Sequence, residues 1–167
     1  MYPEIYNPST YHHTDRCRRC SSEDVFTCRR CNSTVYAQPV ISGVQNRNHC
    51  PYCLWSRHVD HLKPGDRMSA CKASMQPIGV TVKRRLNKYK QGMFGELMLI
   101  HRCCECGKLS INRIAADDQT ERLMEIFYSS SGMDTHLLDQ VEKSGIHLLQ
   151  AEDAILVTCQ LQGYHAN

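Results

Sequence analysis

Four pairs of cysteines with a two-residue gap, Cys17/Cys20, Cys28/Cys31, Cys50/Cys53 and Cys103/Cys106, constrain this chain more than any other feature. A tight turn in such a pair brings both thiolates to one ion at about 2.3 Å, and two pairs close a tetrahedral site. The fold must therefore make distant turns converge. Disulfides are the competing use of cysteine. Disulfide frameworks seldom keep this gap throughout, however, and the first residues (MYPEIYNPSTYHH) lack the basic and apolar regions of an export signal. Zinc ligation in a reducing, cytoplasmic setting is the expectation. Three Phe and one Trp, against nine Gly, six Pro and eleven Cys, favour a small metal-stapled fold over one built on a large apolar core. No apolar run approaches the roughly eighteen residues of a membrane span.

The pairs Cys28/Cys31 and Cys50/Cys53, eighteen residues apart, fit the two knuckles of a four-cysteine zinc ribbon. Cys71, Cys103 and Cys106 then form a second set. His58 is the first choice for its fourth ligand, with Asp60 or another acceptor fixing the ring; Cys104, His49 and His101 are the other candidates. A competing partition joins Cys17 and Cys20 to Cys28 and Cys31, and leaves Cys50 and Cys53 for Cys103 and Cys106. Spacing keeps both open. Two zinc ions are expected, with Cys17 and Cys20 available for a third.

Charge is distributed unevenly. Residues 1–116 hold 18 Lys and Arg against 8 Asp and Glu, whereas residues 117–167 hold 2 against 9. Basic charge fixed on a metal-stapled scaffold suits a polyanion, because each neutralised phosphate releases counterions. The plainer reading is charge that merely keeps a small protein soluble. The tetrad Cys-Arg-Arg-Cys occurs at 17–20 and again at 28–31, and would project Arg18, Arg19, Arg29 and Arg30 from knuckle tips. Between strand candidates Pro77–Lys83 and Gly95–Cys103 lies KRRLNKYKQGMF, a hairpin tip rich in cations and aromatics. The phosphate-contact candidates are thus Arg18, Arg19, Arg29, Arg30, Arg47, Arg84, Arg85 and Lys88, with Tyr89 and Trp55 as weaker stacking candidates.

Three segments are expected: a mobile tail over 1–16, a cysteine-rich zinc-binding domain over 17–116, and an acidic, mainly helical extension over 117–167. Val35–Ile41 reads as a short edge strand interrupted by Pro39. Asp118-Gln-Thr-Glu121 resembles a capping box opening a helix with Leu123, Met124, Phe127 and Tyr128 on one stripe. Asp134 can cap a second helix that stops at Gly145, and Ala151–Gln162 is read as a third. The fold class is small α+β, with zinc-ribbon-like β-hairpins stapled by zinc knuckles and a helical extension.

The pentapeptide Arg47-Asn-His-Cys-Pro51 resembles the signature of the RNHCP domain family. The likeness continues through Cys53-Leu-Trp, Ser56, His58-Val-Asp60, Pro64-Gly-Asp-Arg67, Cys71, Met75, Pro77-Ile-Gly79, Gly95-Glu96, Leu99–Cys103, Cys106-Gly107 and Asn112–Asp118. It covers roughly Phe26 to Asp118, leaving Cys17, Cys20 and the acidic extension outside. The resemblance implies a compact cysteine-rich, zinc-binding domain and brings no enzymatic activity or partner. Around the knuckles, Asn48 can cap backbone amides, Asp66 and Arg67 can pair across the Pro-Gly turn, and Arg113 can pair with Asp117 or Asp118.

The leading functional reading is a non-enzymatic zinc module that binds RNA or a ribonucleoprotein, such as a ribosome. Its acidic helices would then contact protein or self-associate. One alternative is an HNH-like nuclease, in which His61 activates water and Asp60 holds a catalytic cation. Another is a protein-interaction scaffold.

Overall fold

The computed structural model describes residues 25–83 and 95–163. The expected tail, Cys17, Cys20, Arg18 and Arg19, and the hairpin-tip residues Arg84, Arg85, Lys88 and Tyr89 lie outside the described residues.

Two antiparallel sheets form the β part of the fold. Strands β1 (Val25–Thr27) and β2 (Thr34–Tyr36) form a small hairpin, followed by the short helix α1 (Pro39–Ser42). Pro39 opens this helix instead of interrupting a strand, because its fixed φ suits a first helical position. Strands β3 (Ser56–Arg57), β4 (Ser74–Lys83), β5 (Glu96–Cys103) and β6 (Leu109–Arg113) make the second sheet in that order. The β4–β5 hairpin is its spine, with Val80 opposite Leu99 and Val82 opposite Leu97.

Strand β5 is buried almost without a break, the pattern of a strand covered on both faces. Leu97 and Leu99 join Leu54, Val80, Leu123, Phe127, Leu149 and Val157 in the main core. Ile100, facing the other way by alternation, joins Val141 and Leu148 in another cluster. Between the two clusters the chain passes along β4, where the Leu149 amide donates to the Val80 carbonyl at 3.0 Å and covers an otherwise open sheet edge.

The C-terminal helices therefore pack into these two clusters. Helix α2 (Thr120–Ser129) supplies Leu123 and Phe127 to the first, α3 (Thr135–Lys143) supplies Val141 to the second, and α4 (Ala154–Gln162), entered through a 3-10 turn at Ala151–Asp153, supplies Val157 to the first. Tyr128, expected on the apolar stripe, is exposed. Asp134 caps α3 as expected, accepting from the Leu137 amide at 3.0 Å. The capping box expected at Asp118 does not form. Gln119 occupies the cap position without a side-chain bond, and Asp118 turns inward to other partners. Among the described residues no helix is long and apolar enough to cross a membrane.

Candidate metal centres

Three knuckles share one backbone design. Thr27 faces Thr34, His49 faces Ser56 and Arg102 faces Leu109 across antiparallel pairs, and each pair brackets a Cys-x-x-Cys turn. Within each turn the first cysteine's carbonyl accepts from the amide four residues on: Asn32 at 2.9 Å, Leu54 at 2.9 Å and Gly107 at 3.1 Å. Its own amide donates to the carbonyl of Ser33, Trp55 or Lys108, each at 2.9 Å. The residue after the second cysteine is left-handed in all three, with φ of 59° at Asn32, 60° at Leu54 and 71° at Gly107. Each knuckle is thus a hairpin turn that aims two sulfurs to one side.

The first two knuckles face one another. Cys28 Sγ lies 3.5 Å from Cys53 Sγ, and Cys31 Sγ lies 3.6 Å from Cys50 Sγ. The edge of a tetrahedron with 2.3 Å metal–sulfur bonds is about 3.8 Å, so the four sulfurs stand close to the spacing one zinc ion requires. Around them Val35 and Phe26 form a small apolar shell. Burial pushes the Cys50 thiol up to about 11 and Cys53 further still. Burial also works against ionisation at Cys31, but hydrogen bonds from Ser33 and the neighbouring thiols hold that group down to about 6. Four crowded thiols of this kind become four thiolates only around a cation.

The second set is His58, Cys71, Cys103 and Cys106. Cys71 Sγ lies 3.6 Å from Cys103 Sγ, and Cys106 Sγ lies 3.3 Å from His58 Nδ1; all four ligand atoms lie within 4.8 Å of one another. Strand pairing brings them together. Arg57 opposite Ser74 places His58 beside the start of β4, and Met75 opposite Cys103 places the third knuckle against the same end. The two clusters can hold two zinc ions, and the partition that joined Cys50 and Cys53 to Cys103 and Cys106 is not the one adopted. Cys104 is exposed and outside the set. Asp60 does not steady His58: its carboxylate accepts from the Gly65 and Arg67 amides at 2.8 and 3.0 Å, while His58 Nε2 is buried without a partner.

His49 and His101 have other work. His49 Nε2 donates to Asp118 at 2.8 Å. His101 is fully buried; its Nε2 donates to the Leu54 carbonyl at 2.7 Å and its Nδ1 accepts from Asn112 at 2.8 Å. Burial first, then nearby His49, pushes the His101 pKa down to about 3. This neutral ring braces the second knuckle against β5 and β6.

The pentapeptide at 47–51 is a lock between that knuckle and the start of α2. Arg47 Nη1 donates to both oxygens of Asp117 at 2.7 and 2.8 Å, and Nη2 donates to Asp118 at 2.8 Å. The Asn48 carbonyl accepts from the Ser56 hydroxyl at 3.1 Å, Cys50 belongs to the first cluster, and the Pro51 carbonyl accepts from the Gln119 amide at 3.1 Å. Asp118 also accepts from the Ala115 amide at 2.8 Å. Arg47 is therefore a buried structural cation, which corrects its place among the phosphate contacts. Two other expected pairs are also replaced. Arg113 pairs with Glu96 at 2.7 Å, and Asp66 accepts from the amides of His61, Leu62, Lys63 and Met68 instead of pairing with Arg67.

Of the remaining candidates, Arg29 and Arg30 are exposed on the first knuckle. Arg30 lies over the Trp55 ring with its guanidinium carbon 4.9 Å from the centroid, so Arg30 already covers one face of that indole. Arg57, which sequence reasoning missed, sits beside Arg29 with Nε buried and unbonded. Its only sequence signal is a cation immediately before a ligand histidine.

No curated protein and no solved structure matches the chain. A family model described as the RNHCP domain matches residues 23–124, a span that holds both clusters, the pentapeptide and its Asp117-Asp118 partners. The chain belongs to the RNHCP domain family.

Proposed function

We propose that this protein is a zinc-stapled module that binds RNA, alone or within a ribonucleoprotein, through cations presented beside the first metal cluster. The observation that carries the reading is the grouping of Arg29 and Arg30 on a knuckle tip with Arg57 behind them, with no acidic partner for Arg57 among the described residues. Zinc ligation would fix the knuckle backbone that carries these charges, so a polyanion meets cations anchored at set positions on a rigid turn. Paired thiolates of the same cluster lower the net charge, and the arginines offset it outward.

The nuclease reading is weaker on this geometry. Asp60 spends both oxygens on backbone amides and Asp66 gathers four more, so these carboxylates organise the 60–68 loop. The test is a titration of zinc-loaded protein against labelled single-stranded RNA at several salt concentrations. Affinity that falls with salt and weakens in Arg29→Gln/Arg30→Gln supports the RNA reading. Magnesium- or manganese-dependent cleavage that His61→Ala abolishes would replace it with the nuclease. Salt-independent absence of binding would leave a protein scaffold.

A further inference from the structure

An open cleft of about 570 Å³ lies between the β1–β2 hairpin and the loop that follows β3. Its volume falls within the range of small-ligand sites. Phe26 lines it from the hairpin, Gln45, Asn46 and Asn48 from the segment before the second knuckle, and Arg57 and Arg67 from the far wall. We propose that this cleft binds one nucleotide unit, with Arg57 holding the phosphate and the three amides meeting the edge of a base laid beside Phe26.

Four observations support this assignment. Arg57 Nε is buried with no hydrogen-bond partner, although a buried N–H donor is costly to leave unsatisfied. The neighbouring cation Arg29 adds repulsion that an incoming anion would relieve. The side-chain amides of Gln45, Asn46 and Asn48 make no hydrogen bond within the described residues, which leaves donors and acceptors in the mixture that a base edge presents. Asn46 is held in place by shape: its backbone is left-handed at φ 55°, and its amide packs so close to Gly65 that a Cβ there would lie 2.6 Å from Nδ2. The cleft also contains contrary charge. Asp60 lies 3.8 Å from Arg67, so Arg67 is partly neutralised, and Arg47 is consumed by Asp117 and Asp118. Arg57 is accordingly the phosphate-binding group.

The nucleotide can arrive as part of an RNA strand, in which case the assignment rests on the RNA reading above, or as a free mononucleotide. The experiment separates the two. Full-length zinc-loaded protein is titrated with a labelled oligouridylate carrying one 4-thiouracil, cross-linked with light, and the adduct is mapped by peptide mass spectrometry. Uridine monophosphate is titrated separately. The expected result is oligonucleotide binding with the adduct on cleft residues. Arg57→Gln should weaken binding about tenfold and reduce the slope of log affinity against log salt by about 0.7, with zinc content unchanged. Asn46→Gly, which keeps the left-handed backbone and removes the amide, should weaken binding without altering that slope. Oligonucleotide binding with adducts elsewhere and an indifferent Arg57→Gln would overturn the cleft and leave the RNA reading standing. Mononucleotide binding alone, lost in Arg57→Gln, would keep the cleft and discard the RNA reading. Binding of neither would overturn both.

Discussion

Arg47 and Asp118 meet at 2.8 Å with no solvent exposure on either side chain, joining residues seventy-one apart in sequence. A buried charge left without its partner typically costs about 3–5 kcal/mol. Asp118→Ala leaves Arg47 Nη2 and His49 Nε2 buried without their shared acceptor, with Arg47 still held by Asp117, and should destabilise by about 3 kcal/mol, the lower end of that range, in urea unfolding. Asp117 is a third exposed, so Asp117→Ala should cost clearly less. Equal losses in the two variants would show that the lock is not centred on Asp118.

Zinc should be countable and divisible. Native mass spectrometry of the protein purified without added metal should give two ions per chain, and a chain starting at Glu23 should keep both. Loss of one ion on that truncation would bring Cys17 or Cys20 into a site. His58→Cys should retain two ions, because a fourth thiolate can replace the imidazole, whereas His58→Ala should weaken the second site. Chelation should unfold the knuckle ends of both sheets, seen as lost amide protection at Leu54 and Gly107.

Asp66 gives a pH signature. Amides of Lys63 and His61 foremost, with those of Met68 and Leu62, outweigh the opposing effect of burial and hold its carboxyl well below the usual carboxylate range. The folded pKa lies below the unfolded one, so the stabilisation is present above the unfolded value and is lost as pH falls through the folded one. The 60–68 loop should keep its amide chemical shifts through mild acid and lose them only in strong acid. Asp66→Asn should remove this dependence; a loop that titrates near pH 4 in the native protein would contradict it.

Gly65→Ala tests how tightly the cleft is built. The added Cβ would press on the Asn46 amide and force a side chain into φ +86°, so a loss of about 1–2 kcal/mol is expected. Thermal unfolding measures it, and the Asn46 side-chain resonances should move. An unchanged melting temperature would mean that Asn46 yields easily and is not positioned by this contact.

The metal ligands were legible because coordination imposes a spacing that survives without knowledge of the fold. His58 was legible for a related reason: a three-cysteine set needs a fourth donor. Arg47 was not. Beside a knuckle a cation looks solvent-facing, and its partners sit at the point where acidic composition suggested a separate extension beginning. The same composition hid the helices' place in the core, since α2 carries Glu121 and Glu125 outside while Leu123 and Phe127 are buried inside. Strand β6 was missed because LSINR has little alternation of its own; it exists through five pairings with β5 that the third knuckle sets in register. Trp55 and Arg30 attract attention separately as stacking and phosphate groups, but only the fold shows that they engage each other.

The two ligand sets follow one another along the chain: 28, 31, 50 and 53 are complete before 58, 71, 103 and 106 begin. During synthesis, the first ion can be captured by a nascent chain that has not yet made any ligand of the second. Mispairing between sets is thereby limited in time as well as in space. The Asp117-Asp118 corner emerges only after both ligand sets, so Arg47 waits uncompensated beside a loaded knuckle until that corner arrives, and the helices that close the domain follow it.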